Sequence, residues 1–193
     1  VLIARAGVER IDWIGTSMGG LIGMILAADQ RSPIGRLVLN DVGPFIPVQA
    51  LRRIGEYVGT DPRFPDIDAV ERYLRTVAAP FGPLTDGQWR HLAVHGSVAR
   101  EDGYALAYDP GIGDVFASLD TDIDLWPLWR TVKQDALVLR GADSDVLARE
   151  TATRMTEREA PTRLVEFDGV GHAPMLMDDA QIAVVVEWLL GAA

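Results

Sequence analysis

Four short aliphatic runs, each closed by a turn and followed by a helix-like pattern, restrict what this chain can fold into. Ile11-Asp12-Trp13-Ile14 ends at Gly15, and Arg36-Leu37-Val38-Leu39-Asn40 is the second run. Ala136-Leu137-Val138-Leu139-Arg140 is the third and Arg163-Leu164-Val165-Glu166-Phe167 the fourth. Near-continuous Val, Ile and Leu runs suit parallel strands buried on both faces. The spacing predicts helices over Met18 to Ala28, Ala148 to Arg158 and Ala180 to Leu190, the last capped by Asp178 with Gln181 three residues on. Strands alternating with helices imply a parallel sheet and an α/β architecture.

The rhythm breaks between Phe45 and Val132. This stretch follows Gly43-Pro44 and contains Pro47, Pro62, Pro65, Pro80, Pro83, Pro110 and Pro127. Helical patterns over Val48 to Val58, Asp68 to Ala78 and Gln88 to Val98 lie among them, and Thr85 with Gln88 makes a capping box for the third. The expected organisation is a core from 1–44 and 133–193, interrupted by a helical insertion over 45–132. No internal repeat or low-complexity segment is visible.

The chemistry centres on Gly15-Thr16-Ser17-Met18-Gly19, a G-x-S-x-G pattern set between a predicted strand and a predicted helix. In that context the Ser sits on a sharp, strained turn that lifts its hydroxyl above the sheet. Side chains two residues before and after it are expected to collide with the turn, which calls for glycine there. The backbone N–H of Met18, at the helix start, is placed to donate to an oxyanion.

A nucleophilic Ser needs a base. His172 lies in Gly169-Val170-Gly171-His172-Ala173-Pro174, past the fourth run, where functional groups collect at the carboxyl ends of strands. The base needs an acid to orient it. After the third run, Gly141-Ala142-Asp143-Ser144-Asp145-Val146-Leu147 offers Asp143 and Asp145. Asp145 is preferred because Val146-Leu147 would pin its loop. Asp41, just past the second run, is a third candidate, although Asn40-Asp41 also reads as a turn.

Together Gly15-Thr16-Ser17-Met18-Gly19-Gly20, Leu39-Asn40-Asp41-Val42-Gly43-Pro44, Arg140-Gly141 through Ser144-Asp145, and Gly171-His172-Ala173-Pro174 resemble the α/β-hydrolase fold superfamily in its cap-bearing branch. The resemblance covers the whole chain. It implies a three-layer α/β fold in which the four runs are the fifth to eighth strands and the insertion is a helical cap. It also implies that the aspartate of Ser144-Asp145 is the triad acid, and that the substrate is a small or medium ester. Carbon–carbon bond hydrolysis of a diketone uses the same triad and is the alternative within the fold. A non-catalytic ligand-binding module is the alternative of another class. Epoxide and haloalkane hydrolysis are disfavoured, because those relatives carry a carboxylate at the position of Ser17.

The resemblance also implies a missing front. The chain opens Val1-Leu2-Ile3-Ala4-Arg5 without Met and reads like the tail of a helix running into a strand. The expectation is a fragment of a longer parent, lacking the first four strands and the loop that donates a second oxyanion N–H. Its first strand would then have a bare apolar edge, and turnover in isolation would be weak.

The remaining features narrow the function by exclusion. A formal net charge of −10 argues against nucleic acid and anionic membranes as partners, both of which call for Lys and Arg. The chain has no cysteine, which rules out disulfides and thiolate chemistry and suits a cytoplasmic setting. No apolar run reaches the ~18 residues of a spanning helix. His91 and His95 have the i, i+4 spacing of a helical metal pair, but Leu92 stands where a zinc protease needs Glu, so no metal and no cofactor is expected. Trp126 and Trp129 are expected to be packing residues, with the lining of a substrate cavity as the alternative. Met175 and Met177 could border an acyl pocket or fill gaps. The expected partner is a small-molecule substrate, and the oligomeric state is not readable.

Overall fold

The computed structural model describes residues 2–191; Val1, Ala192 and Ala193 lie outside it. The chain divides into two compact units, one formed by residues 1–46 and 123–193 and the other by Pro47–Asp122.

The first unit is built on a four-stranded parallel sheet. Its strands are β1 (Ile11–Thr16), β2 (Ile34–Asn40), β3 (Asp135–Gly141) and β4 (Thr162–Phe167), and they lie side by side in that order. Each matches one of the aliphatic runs, extended by one or two residues. The two inner strands show why those runs are continuously apolar. Leu37, Leu39, Ala136 and Val138 face one layer, where they pack with Met24, Ala27, Leu147, Ala152 and Met155. Val38, Leu137 and Leu139 face the other, with Val185. Alternate side chains point to opposite faces of a strand, so the middle of a strand covered on both sides is apolar at successive positions.

Helices cover the two faces. Met18–Ala27 and Arg149–Met155 lie on the first face, and Asp179–Leu190 on the second, giving three layers. The last helix starts where the sequence predicts, with the Asp178 carboxylate accepting from Gln181 N–H at 3.0 Å. A short helix, Leu2–Ala6, precedes β1. Among the described strands β1 is one edge of the sheet, pairing with β2 alone, and β4 is the other. Ile14 of β1 is 50% exposed, and Met18, Ile22 and Ile25 on the adjoining helix are also exposed.

The second unit contains helices Val48–Gly55, Ile67–Val77 and Asp86–His95, all close to the predicted positions. The capping box forms as read: Thr85 Oγ1 accepts from Gln88 N–H, and the Gln88 side chain accepts from Thr85 N–H. The unit is not wholly helical. Ser97–Arg100 and Gly103–Leu106 form an antiparallel hairpin, and Phe64, bridged to Tyr104, packs with Val70 and Ala93 in a small core.

The boundaries are tighter than the 45–132 read from the sequence. Phe45–Ile46 pairs antiparallel with Ile123–Asp124, and this two-stranded ladder belongs to the first unit. The Trp126–Trp129 helix belongs there too. Trp126 and Trp129 are buried in the first-face core, with the guanidinium carbons of Arg154 and Arg158 at 4.0 and 4.1 Å from their ring centroids. Pro127 marked this segment as insertion-like, but proline is tolerated in the first turn of a helix.

Candidate active site

The site assembles at the carboxyl ends of β1, β2, β3 and β4, where the strands hand over to loops. Ser17 stands between β1 and the helix Met18–Ala27, at φ 51° and ψ −120°. A side chain in this left-handed region is strained by roughly 1–3 kcal/mol, and the surroundings hold it there. Ser17 N–H donates to Asn40 O at 3.0 Å, continuing the β1–β2 ladder through the turn, while Ser17 O accepts from Gly20 and Leu21.

The glycines of the elbow have different jobs from those the sequence implied. A methyl group at Gly15 would fall 2.3 Å from the Gly19 carbonyl oxygen, so the residue before the turn must be glycine. A methyl at Gly19 would meet nothing within 4 Å. The second tight position is Gly20, where a methyl would lie 2.4 Å from Val42 Cγ1. The collision expected two residues after Ser17 therefore occurs one residue later, where the helix first touches β2's continuation.

His172 reaches Ser17 across the sheet end. Its Nε2 lies 2.9 Å from Ser17 Oγ and its Nδ1 lies 2.7 Å from Asp41 Oδ2. The imidazole is largely buried and the Asp41 carboxylate wholly so, with relative exposures of 9% and 0%. As a carboxylate Asp41 only accepts, so Nδ1 carries the proton and Nε2 is left to accept from the Ser17 hydroxyl.

The structure places beside His172 a different carboxylate from the one preferred in the sequence. The carboxylate at hydrogen-bonding distance from His172 is Asp41, not Asp145 or Asp143, both of which are exposed. Asp41 follows β2 directly, at φ 55°, and its N–H donates to Leu139 O. This backbone turn sends the side chain across the end of β3. There Oδ1 accepts from Gly141 N–H at 2.8 Å, and Oδ2 accepts from Ser144 Oγ at 2.6 Å as well as from His172. The loop expected to supply the acid thus supplies two donors to it. The sequence signal was present, since Asp41 ends an apolar run and satisfies the Ser…Asp…His order, but that order is met equally by Asp143 and Asp145.

Asn40 ties the loops together. It is 1% exposed, and its amide nitrogen donates to Thr16 Oγ1 at 3.0 Å and to Pro174 O at 2.7 Å. One side chain therefore links the residue before Ser17 to the loop that carries His172. Gln181 adds a second tie, its Oε1 accepting from Leu176 N–H at 2.7 Å. Met18 begins the elbow helix, where a backbone N–H has no partner within the helix.

His91 and His95 stack on the second unit's helix with ring centroids 4.3 Å apart. Among the described residues no three His, Cys, Asp or Glu side chains converge as a metal site, and no helix is long and apolar enough to cross a membrane.

Comparison with known proteins identifies the family. The sequence model of the alpha/beta hydrolase family matches residues 2–187. A 3-hydroxybutyrate-oligomer hydrolase from Cupriavidus necator is 43% identical over 201 residues, covering 99% of this chain and 69% of the relative. A 2-hydroxy-6-oxo-2,4-heptadienoate hydrolase from Pseudomonas putida is 25% identical over 170 residues, covering 85% of this chain and 57% of the relative. The crystal structure of an alpha/beta hydrolase from Novosphingobium aromaticivorans superimposes with a TM-score of 0.86 at 35% identity, covering 98% of this chain and 68% of that one. The chain thus spans 57–69% of the length of these proteins.

Proposed function

Because the chain belongs to the alpha/beta hydrolase family of enzymes, we propose that it is a serine hydrolase cleaving carboxylic esters, with Ser17 as nucleophile, His172 as base and Asp41 as acid. The observation that carries the reading is the continuous hydrogen-bonded path from Ser17 Oγ through His172 to a fully buried carboxylate.

The steps follow from those contacts. Ser17 Oγ attacks the acyl carbon while His172 Nε2 takes its proton. The imidazolium that forms is held by Asp41, which keeps its own charge throughout. The oxyanion is met by Met18 N–H at the helix start. His172 returns the proton to the leaving alcohol, and the C–O bond breaks to give an acyl-serine and a free alcohol. Water then attacks the acyl-serine, with His172 again taking and returning a proton, releasing the acid and restoring Ser17.

The relative from Cupriavidus necator acts on 3-hydroxybutyrate oligomers by its name, and it is the more similar of the two named relatives. We assign this chain the same substrate class, short linear esters of 3-hydroxy acids. Carbon–carbon bond hydrolysis of a diketone is the second reading, and the Pseudomonas putida relative is by its name a hydrolase of 2-hydroxy-6-oxo-2,4-heptadienoate.

Fluorophosphonate labelling read by intact mass, with Ser17→Ala as control, tests the nucleophile. One adduct that disappears in S17A is the expected result, and an adduct that persists in S17A overturns the assignment. Release of 3-hydroxybutyrate from its dimer and trimer, set against cleavage of a vinylogous diketone, decides between the two substrate classes.

A further inference from the structure

Ser144 stands in the loop where the acid was expected, yet it is buried, at 8% exposure. All three of its hydroxyl's hydrogen-bonding positions are occupied. The oxygen accepts from Val146 N–H and Leu147 N–H, each at 3.2 Å, and the hydroxyl contacts Asp41 Oδ2 at 2.6 Å. A hydroxyl has one proton to give and two lone pairs to fill. With both lone pairs committed to backbone N–H groups, its proton points at Asp41, on the same oxygen that His172 Nδ1 uses.

The loop that presents this hydroxyl is itself clamped. Arg140, 6% exposed, donates from Nε to Leu147 O at 2.7 Å and from its guanidinium to Glu166 Oε2 at 2.6 Å. Glu166 also pairs with Arg149 at 2.9 Å. An ion-paired arginine therefore fixes the carbonyl of the residue whose N–H fixes Ser144 Oγ. Such an arrangement exceeds what a loop needs in order to fold, because it determines the direction of a single O–H bond.

We infer that Ser144 is a positioning residue for catalysis: its hydroxyl fixes the orientation of the Asp41 carboxylate, and with it the line along which Oδ2 meets His172 Nδ1. The inference rests on the Ser17–His172–Asp41 reading. Ser144 touches no reacting atom, so its removal acts on kcat and not on substrate binding.

The test measures ester hydrolysis by Ser144→Ala, per fluorophosphonate-titratable site. The expected result is kcat about tenfold lower, the scale of one hydrogen bond to a buried charge, with KM within about twofold. Ser144→Thr, which restores a hydroxyl, brings kcat back toward that of the starting protein. A purely structural serine would lower the yield of titratable sites but leave kcat per site in place, and that result overturns the inference. Should S144A fail to fold, Ser144→Cys carries the same test: its weak donor predicts an intermediate loss, and a starting-level rate per site overturns the proposal. Labelling of S17A separates the two failures. If S17A still labels, the triad reading falls; if S17A is silent while S144A is unchanged, only the role of Ser144 falls.

Discussion

Asp41→Asn is the substitution that bears hardest on the proposed site. Asparagine has the shape of aspartate, and its carbonyl can still accept from Gly141 N–H at the Oδ1 position. Its amide then occupies the Oδ2 position and presents a donor to His172 Nδ1, 2.7 Å away, and another to the Ser144 hydroxyl. To meet an amide donor His172 must shift its proton to Nε2, which leaves no base facing Ser17 Oγ at 2.9 Å. The charge is also lost. A carboxylate and an imidazolium with charge centres ~4 Å apart attract by about 4 kcal/mol at an effective dielectric of 20, or about three decades in rate. The tautomer change brings the expected loss in kcat to about 10³–10⁴-fold. Steady-state hydrolysis of a chromogenic short-chain ester measures it, with circular dichroism to show an intact fold. The matched control is Asp145→Ala, an exposed position expected to stay within about threefold of the starting rate. If D145A lost thousands-fold while D41N stayed within tenfold, the assignment of Asp41 would be refuted.

Three further outcomes follow from the elbow's geometry. Gly15→Ala is expected to cost at least ~3 kcal/mol by chemical denaturation, because its methyl meets a backbone oxygen at 2.3 Å that cannot yield. Gly19→Ala, in open space within a helix, is expected to be neutral or to gain up to about 1 kcal/mol; equal losses at the two positions would contradict the packing described above. Ser17→Gly relieves the positive φ and is expected to raise stability by roughly 1 kcal/mol while abolishing turnover. A melting temperature below that of S17A would show that the turn stores no strain.

Much of the fold was legible because it follows from local rules. Both faces of β2 and β3 are buried, so their sequences had to read as continuous aliphatic runs, and they did. The caps at Thr85 and Asp178 formed because their partners lie three residues away, inside the reach of a side chain. Less legible was the hairpin Ser97–Arg100 with Gly103–Leu106, whose first strand overlaps the end of a helical pattern; it is held by the non-local pairing of Phe64 with Tyr104.

The sequence by itself determined the class of sheet, the elbow around Ser17 and the placing of His172 past the last strand. Each of these depends on spacing along the chain. The partner of His172 does not. Asp41, Asp143 and Asp145 all follow strands, and all satisfy the same chain order. Only the tertiary structure decided among them, through the parallel register that sets Asn40 opposite Leu139 and the positive φ at Asp41 that turns its carboxylate across the end of β3. There, Gly141 N–H and Ser144 Oγ wait to hold a buried charge that exposed Asp145 never needed to hold. A side chain's direction past the end of a strand is set by the backbone turn and by the neighbouring strand, and both come from contacts about a hundred residues apart in the chain.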